Sequence, residues 1–565
     1  MLFSCFILSS LCLAFVSAAY TEYVKAQTAP RSQILKRSAF EFIEGTLPIV
    51  DLGYAKVQAN YYNTGQDFYQ WKNIRFAAPP VGENRLKKPQ PPVNETAVND
   101  GAVGNQCPQH LPPEFSIANP FISLLIPQSE DCLFLDVAVP GKIVRGESTD
   151  PLPILNWIFG GGFVFGAKDF PYSAYPLLKS ANNEFIYVAA NYRLGALGWL
   201  SGPTVNKDAV GNAGLWDQRA ALQWIQDYIG LFGGDPNTVT VMGESAGAAS
   251  IIHHLVSPYP ALFHRAILQS PAYLPQYDYG HLETQYVGFR NYAGCTEGGI
   301  ECLRGLSSDA VIAASADMIK LAPYGTFQFG PARDDDYVPD IPTRRLKDGN
   351  VNSGVHIIVS HNSNEGYLFT DPAIITNSQA DNLIKKNFPN ATSSTLAMIG
   401  SLYPAPGLLS RYPSTFERVS GLIGEWIIGC NVRYIAANYP NTYIYQFDVA
   451  PGIHGEDILF TFWGTDLLDG LLNDHFGIDL PSGENLATAV QSYLTSFAIC
   501  GDPNTYRQSG GLPATIKFQQ AGSTTGNMKV LNINLLGFST LSSDPDSPAD
   551  RCAFWQTGAY AGQSW

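Results

Sequence analysis

The apolar positions in the middle of the chain follow two alternating patterns. Residues 152–159 have a strand pattern, and the continuous apolar run at 185–190 is typical of a strand buried on both faces of a sheet. Over residues 215–229, apolar side chains instead recur at helical spacing. Two more strand patterns follow at 356–360 and 443–449. This alternation predicts a large, mostly parallel central β-sheet flanked by helices on both faces.

The most informative stretch joins a strand pattern to a helical one. An apolar, β-branched run leads into Gly-Glu-Ser-Ala-Gly at residues 243–247, and a helical pattern follows. A strand–turn–helix context is what makes a G-x-S-x-G match a nucleophile elbow. The strained turn needs neighbours with almost no side chain, which Gly243 and Gly247 provide. Ser245 is therefore the candidate nucleophile, with the N–H of Ala246 directed toward it at the start of a helix.

A second glycine-rich turn lies upstream of this serine. The strand pattern of residues 152–159 ends in Gly-Gly-Gly-Phe at residues 160–163. Glycines let the backbone approach a ligand closely and direct its N–H groups inward. A flexible loop is the simpler interpretation. A strand that leads into this turn, upstream of an elbow, favours an oxyanion hole.

A serine hydroxyl is a weak nucleophile and needs a base within hydrogen-bond reach. His454 follows the strand pattern that ends at Val449, so it lies on a loop at a strand's carboxyl end, where doubly wound sheets place their chemistry. His475 is the second choice, because no strand pattern precedes it. Four other histidines, on the helix after Ser245, in a loop or before a strand, fit less well: His110, His253, His254 and His264.

A carboxylate must orient the histidine and stabilise its protonated form. In elbow-containing sheets the chain order is serine, acid, histidine. Glu365 follows the strand pattern at 356–360 and fits this order. The acidic triplet Asp334–Asp336 also fits the order, but adjacent carboxylates more often cap turns or face solvent.

Composition narrows the class of protein. Hydrophobic residues make up 45% of the 565 and charged residues only 15%, which favours a large packed core over disorder. The net charge of −15 disfavours nucleic acid and anionic membranes as partners. No run has the length of a membrane span, so we expect no stable membrane insertion.

The amino terminus has the pattern of a secretory signal. Residues 1–18 are apolar and end in Val-Ser-Ala, a small-residue cleavage pattern, although no Lys or Arg precedes the apolar run. Residues 19–46 form a polar extension whose Lys36-Arg37 pair is a candidate processing site; an exposed end is the alternative. Without a repeat or linker to divide it, we treat 47–565 as one domain of a secreted, extracellular protein.

Nine cysteines fit an oxidising compartment. Cys5 and Cys12 lie in the predicted signal, so an odd number remains and at least one thiol is free or pairs outside the chain. No C-x-x-C or His-x-x-x-His spacing suggests zinc, and we expect neither a metal nor another cofactor. Asn94 and Asn390 begin N-x-T sequons and are candidate glycosylation sites.

Together the motifs resemble the type-B carboxylesterase/lipase family, which includes fungal secreted lipases, carboxylesterases and cholinesterases. The resemblance covers about 47–555 and implies the α/β-hydrolase fold. The motifs that carry it are Ser-Glu-Asp-Cys-Leu at 129–133, Gly-Gly-Gly-Phe at 160–163, Gly-Asn at 211–212 with Asp-Gln at 217–218, Phe-Gly-Gly-Asp-Pro at 232–236 and Gly-Glu-Ser-Ala-Gly-Ala at 243–248.

The resemblance implies roles for individual residues. It implies a triad of Ser245, Glu365 and His454, in agreement with the strand-end reasoning, and an oxyanion hole of three N–H groups. Those N–H groups belong to Gly161, Gly162 and Ala246. The implied disulfides are Cys107–Cys132, Cys295–Cys302 and Cys430–Cys552. Cys500 is left free, and we expect it to be buried at a helix end as a small hydrophobe.

The chain departs from the family at three points. Asn364 stands where many members have Asp, and Phe159 where many have His. Neither change removes a catalytic group. No Trp lies between Cys107 and Cys132, where cholinesterases carry a substrate-binding Trp, so choline specificity is not expected.

These patterns predict a secreted serine carboxylic-ester hydrolase that acts on hydrophobic small-molecule or lipid esters. Within this class, a lipase or sterol esterase with a long acyl tunnel competes with a short-chain, feruloyl-type or general esterase. The family also contains adhesion proteins without catalysis, but these typically lose the nucleophile that this chain keeps. The sequence leaves the oligomeric state open.

The loop between Cys107 and Cys132 contains more apolar side chains than a solvated loop should carry. We expect them to form a hydrophobic flap over the acyl-binding mouth, whereas packing on the domain surface is the alternative. Its disulfide and its prolines limit its motion, which predicts a mostly pre-formed site and modest activation at a lipid interface. The apolar residues concerned are Phe121, Ile122, Leu124, Leu125 and Ile126.

Overall fold

The computed structural model describes residues 40–42, 46–114, 127–169, 172–272, 277–408, 410–464, 480–508, 516–522 and 528–561. The predicted signal peptide, the Lys36-Arg37 pair, the apolar part of the predicted flap and His475 lie outside the described residues.

The described strands form a four-stranded sheet and an 11-stranded sheet. The small sheet has the order β1-β2-β3-β6, and the large sheet has the order β15-β14-β13-β12-β11-β10-β8-β9-β7-β5-β4. The strands are β1 (Phe40–Glu41), β2 (Ile49–Asp51), β3 (Lys56–Gln58), β4 (Tyr61–Asn63), β5 (Phe68–Arg75), β6 (Val98–Asn99), β7 (Phe134–Pro140), β8 (Leu152–Ile158), β9 (Ile186–Ala190), β10 (Gly234–Glu244), β11 (Arg265–Gln269), β12 (His356–Asn362), β13 (Tyr443–Phe447), β14 (Val530–Asn534) and β15 (Gly537–Leu541).

Helices flank the large sheet. They are α1 (Gly141–Val144), α2 (Ala174–Ser180), α3 (Gly195–Trp199), α4 (Pro203–Asp208), α5 (Ala213–Tyr228), α6 (Ala246–Val256), α7 (Tyr279–Tyr292), α8 (Gly299–Gly305), α9 (Ser308–Ile319), α10 (Pro342–Lys347), α11 (Asn377–Asn387), α12 (Ser393–Leu402), α13 (Thr415–Gly424), α14 (Cys430–Asn438), α15 (Glu456–Thr461), α16 (Leu480–Cys500) and α17 (Ala549–Gln556). A π-helical turn, Glu425–Gly429, joins α13 to α14, and shorter 3₁₀ turns are Gly82–Asn84, Ile229–Phe232, Glu365–Tyr367 and Ala559–Ala561.

The predicted fold class is confirmed. From β9 through β8 and β10 to β14, neighbouring strands run parallel, and their apolar runs are buried as the sequence pattern indicates. The antiparallel pairs of this mostly parallel sheet lie at its edges, with β15 at one end and β7, β5 and β4 at the other. Antiparallel strands can pair without a crossover helix between them, so the helical pattern of the sequence does not predict these edge strands.

Several residues of the family motifs outside the site form ion pairs. Glu130 makes two bonds to Arg85, each 2.6 Å long, with both side chains about 2% exposed. Asp217 binds Arg193 through two bonds of 2.7 Å in the same fork geometry. Buried charges need such paired, hydrogen-bonded partners, and removing one partner is costly. These motif residues therefore fix the loops around the sheet.

The structure contains the three disulfides that the resemblance implies, Cys107–Cys132, Cys295–Cys302 and Cys430–Cys552. Cys500 is free and ends α16, as expected, but the prediction that it is buried is wrong. Its thiol lies at the exposed end of the helix and donates to the Ser496 carbonyl over 3.3 Å. Phe497 and Ala498 in the same last turn of α16 are buried, so Cys500 lies on the side of the helix end that faces solvent.

Within the described residues, no helix combines the length and the apolar character that crossing a bilayer requires. Asn94 and Asn390, the candidate glycosylation sites, are both exposed. The Nδ2 atom of Asn390 donates to Asp278 over 2.9 Å.

Candidate active site

Ser245 lies on a strained turn between β10 and α6. Its backbone has φ 53° and ψ −120°, in the positive-φ region that few non-glycine residues adopt. A Cβ atom on Gly247 would lie 2.0 Å from the Ile158 carbonyl oxygen, and one on Gly243 would lie 2.8 Å from the Gly247 carbonyl carbon. Only glycine fits at these two positions. The turn therefore presses the start of α6 against β8 and projects Ser245 from the carboxyl end of β10.

His454 and Glu365 lie on loops at the carboxyl ends of two other parallel strands, β13 and β12. The Ser245 Oγ atom lies 2.8 Å from His454 Nε2, and His454 Nδ1 lies 2.6 Å from Glu365 Oε2. With the ring proton on Nδ1, the histidine donates to the carboxylate and its Nε2 accepts the serine proton. The three side chains form one continuous hydrogen-bonded chain in a buried setting.

Glu365 is held by donors on its other oxygen. The Ser270 hydroxyl and the Asn362 backbone N–H each donate to Oε1 over 2.6 Å. Burial alone would raise the pKa of Glu365, but the charge of His454 and these hydrogen bonds hold it below its usual value. The carboxyl group is therefore ionised and fixed beside the imidazole.

The electrostatics of His454 follow from the acids around it. Burial lowers the pKa of His454, but the charge and hydrogen bond of Glu365 more than offset this and raise it to about 9. Glu244 contributes in the same direction, with its Oε1 atom 3.4 Å from His454 Nε2. Burial raises the pKa of Glu244 itself to about 8. The site thus favours a protonated imidazole once the serine proton arrives.

Asn364 ties the acid loop to the histidine loop. Its backbone N–H donates to the Gly452 carbonyl and its Nδ2 atom donates to the Pro451 carbonyl, each over 2.7 Å. The Asp that many family members carry at this position could not donate to a carbonyl from its side chain. The departure from the family pattern is thus used here to hold the two loops together.

The Gly-Gly-Gly turn lies directly against the serine. A Cβ atom on Gly160 would lie 3.1 Å from the Ser245 Cβ atom and 2.6 Å from Glu244 Oε2. Gly161 and Gly162 follow with φ 106° and 59°. Ala246 is the first residue of α6, where backbone N–H groups lack intrahelical acceptors. The turn that contains Gly161 and Gly162 therefore begins against Ser245, and Ala246 directly follows the serine.

An aromatic wall, absent from the sequence prediction, completes the site. The Phe369 ring centroid lies 4.8 Å from the His454 ring and 6.1 Å from the Phe327 ring. Phe327 in turn packs against Gly162, where a Cβ atom would lie 2.3 Å from its ring. Both phenylalanines come from long connections between strands, where no periodic pattern marks a residue as facing the site.

The other sequence candidates lie in different surroundings. His254 contacts the Tyr337 hydroxyl over 2.6 Å and Gln218 over 3.0 Å, and burial lowers its pKa to about 3. In the acidic triplet, Asp334 accepts from Asn212 over 2.8 Å. Asp335 pairs with Arg333 and Asp336 with Lys88. Of the acids that the sequence offers for the triad, Glu365 is thus the one bonded to His454.

A serine on a strained turn after a central strand, with the acid and the histidine on loops after later strands, is the arrangement of the α/β-hydrolases. The polypeptide crosses the sheet so that β8, β10, β12 and β13 all deliver site residues from their carboxyl ends.

The chain belongs to the carboxylesterase family, whose sequence profile matches residues 46–555. It is 31% identical to carboxylesterase patB of Penicillium expansum over 91% of this chain and 96% of the relative. It is 33% identical to a secreted lipase of Arthroderma benhamiae, over 76% and 82% of the two chains. The family together with these carboxylesterase and lipase relatives identifies the protein as a carboxylic ester hydrolase.

Solved structures agree with this assignment. The crystal structure of Aspergillus niger EstA superposes with a TM-score of 0.75 and 26% identity, covering 91% of this chain and 99% of the other. A PNB esterase superposes with a TM-score of 0.71 at the same identity, covering 90% and 99%.

Proposed function

We propose that the protein is a secreted serine esterase that hydrolyses hydrophobic carboxylic esters through an acyl-enzyme. The observation that carries this proposal is the hydrogen-bonded chain from Ser245 through His454 to Glu365. The base lies within hydrogen-bond reach of both the nucleophile and the orienting acid, which is the geometry that activates a serine hydroxyl.

The first half-reaction acylates the serine. Ser245 Oγ attacks the ester carbonyl carbon while its proton passes to His454 Nε2. The carbonyl oxygen becomes an oxyanion that the N–H groups of Gly161, Gly162 and Ala246 stabilise, each contributing about 3 kcal/mol in the transition state. The bond to the alcohol oxygen then breaks, and His454 returns the proton to the leaving alcohol.

The second half-reaction is deacylation. A water molecule gives its proton to His454 Nε2 and adds to the acyl carbonyl, and the same N–H groups stabilise the new oxyanion. The bond to Ser245 Oγ breaks, the serine regains its proton from His454, and the carboxylic acid leaves. In both halves Glu365 keeps the imidazole in the reactive tautomer and stabilises its charge.

The pH dependence should reflect the acids around His454. His454 acts as a base only when neutral, so kcat/KM should rise with pH through the pKa of this group. Because Glu365 and Glu244 raise that pKa, the half-maximal point should lie above 6.5 and toward 9. Measuring kcat/KM for a soluble ester from pH 5 to 10 checks this. Glu244→Gln should move the half-maximal point to lower pH, and a wild-type midpoint below 6.5 would contradict the assignment.

The apolar walls favour hydrophobic substrates. Phe369 is buried beside the base and Phe327 beside Gly162, so an acyl chain or an apolar alcohol would find a water-excluded surface there. The relatives include proteins named as carboxylesterases, lipases and a para-nitrobenzyl esterase. A lipase or sterol esterase with a long acyl tunnel is therefore the alternative within the same chemistry.

Rate measurements through the solubility limit of an ester separate the two. We expect a smooth saturation curve on soluble esters and at most a modest increase when an emulsion forms, because the Cys107–Cys132 disulfide limits how far its loop can move. A sharp jump in rate at emulsion formation would instead indicate a lipase with a mobile lid. Para-nitrophenyl esters of graded chain length make the comparison with one reporter group.

Secretion is part of the proposal. Residues 1–18 would be the signal peptide, 19–46 an extension with a candidate processing site after Arg37, and 47–565 the single catalytic domain. Support comes from the three disulfides, from the two exposed sequons and from relatives named as secreted lipases. Sequencing the amino terminus of the secreted protein tests the boundaries.

A further inference from the structure

Gln109, two residues after Cys107, forms hydrogen bonds to the turn that contains Gly161 and Gly162, the predicted oxyanion donors. The Gly166 N–H donates to Gln109 Oε1 over 2.9 Å, and Gln109 Nε2 donates to the Gly166 carbonyl over 3.2 Å. One primary amide thus satisfies both backbone groups of Gly166, as a strand neighbour would. The adjacent His110 N–H donates to the Val164 carbonyl over 3.1 Å.

The position of Gly166, at the end of the turn, determines the position of Gly160–Gly162 at its start. The N–H groups of Val164 and Phe165 both donate to the Gly161 carbonyl over 3.1 Å, which closes residues 161–165 into a tight loop. Gly166 then returns to the start of the turn, where a Cβ atom on it would lie 2.7 Å from the Gly160 carbonyl oxygen. A displacement of Gly166 would therefore be transmitted to Gly160 and to the next two glycines.

Gln109 is itself anchored to both ends of the disulfide-closed loop. Its backbone N–H donates to Gln128 Oε1 over 3.1 Å, near the end of that loop. Its Nε2 atom also donates to Gln106 Oε1 over 2.9 Å, just before the disulfide. The Cys107–Cys132 disulfide joins these two ends of the loop covalently. The side-chain amide of Gln109 thus connects the disulfide-closed ends of this loop to the turn that contains Gly161 and Gly162.

We propose that Gln109 is a positioning residue that sets the orientation of the Gly161 and Gly162 N–H groups toward the oxyanion. The inference rests on the proposed acyl-enzyme mechanism and deepens it. Oxyanion donors act only when they are fixed within a few tenths of an ångström before charge develops. Loss of the Gln109–Gly166 hydrogen bonds should therefore lower kcat even though the donors themselves remain. Gln109 acts through Gly166 and does not contact the reacting atoms.

The test replaces Gln109 by methionine, which keeps the length of the side chain and removes both bonds to Gly166. We expect kcat to fall by about 10- to 100-fold, because the oxyanion donors lose their alignment, while KM changes little. A trifluoromethyl ketone provides the second measurement. Ser245 adds to its carbonyl carbon, the proton passes to His454, and the oxygen becomes an oxyanion in the hole. Its inhibition constant should rise by about the same factor as kcat falls.

Gln226→Met is the matched control. Gln226 also bonds two backbone carbonyls, those of Pro236 and Leu262, each over 3.1 Å, but on α5 away from the elbow. It should lose similar thermal stability while keeping wild-type kcat and inhibition constant. Gln109→Met with wild-type kcat and wild-type ketone affinity would overturn the proposal, and so would a rise in KM alone. Failure of the acyl-enzyme mechanism would show separately, as full activity of Ser245→Ala.

Discussion

Ser245→Ala is expected to reduce ester hydrolysis by a factor on the order of 10⁶, to the level of background. The substitution removes the attacking oxygen and leaves the strained turn, the histidine and the oxyanion donors in place. Alanine adopts the required positive φ no less readily than serine, so thermal unfolding should stay close to wild type. Steady-state kinetics with a soluble nitrophenyl ester and a melting curve measure both quantities.

A matched control is Ser492→Ala. Ser492 is also buried, and its hydroxyl donates to the Ala489 carbonyl over 2.7 Å on α16. This variant should keep its activity. Substantial turnover by pure Ser245→Ala protein would remove Ser245 from the mechanism.

Glu365→Gln is expected to lower kcat by about 10⁴-fold without unfolding the protein. The amide oxygen can still accept from Ser270 and Asn362, but the Nε2 group facing His454 Nδ1 is now a donor. Because the glutamine amide donates to His454 Nδ1, the ring proton must lie on His454 Nε2, and that atom can then no longer accept the serine proton. The imidazolium also loses its charged partner.

Asp335→Asn is the corresponding control in the acidic triplet. Asp335 is exposed and pairs with Arg333 over 2.8 Å, away from His454. We expect near-normal kcat for this variant. The acid would have to be reassigned if Asp335→Asn were the inactive variant and Glu365→Gln kept near-normal activity.

The sequence predicts the parts of the site that sit at strand ends. Ser245, Glu365 and His454 each follow an apolar strand pattern, and parallel strands bring their carboxyl ends to one edge of a sheet. Local pattern and topology together are therefore enough to bring the three candidate residues close to each other. The same reasoning places the Gly-Gly-Gly turn after β8.

What the sequence does not predict comes from long connections and from edges. Phe327 and Phe369 lie on long loops, and the way these loops fold brings both side chains to the site. No periodic sequence pattern around either residue predicts that position. Gln109 lies in a proline-rich loop, where its two bonds to Gly166 depend on a contact across 57 positions. Cys500 is exposed although Phe497 and Ala498 in the same last turn of α16 are buried, and the exact end of a helix is difficult to predict from periodicity.

The most direct test of the proposed mechanism is covalent labelling with a fluorophosphonate. Ser245 Oγ displaces fluoride from phosphorus, and the stable phosphonyl ester marks whichever serine is activated. We predict that one label per chain abolishes activity, that peptide mapping places it on Ser245, and that Ser245→Ala protein takes up none. A label on another residue in the inactivated protein, or full activity after Ser245 has been labelled, would contradict the proposed acyl-enzyme mechanism.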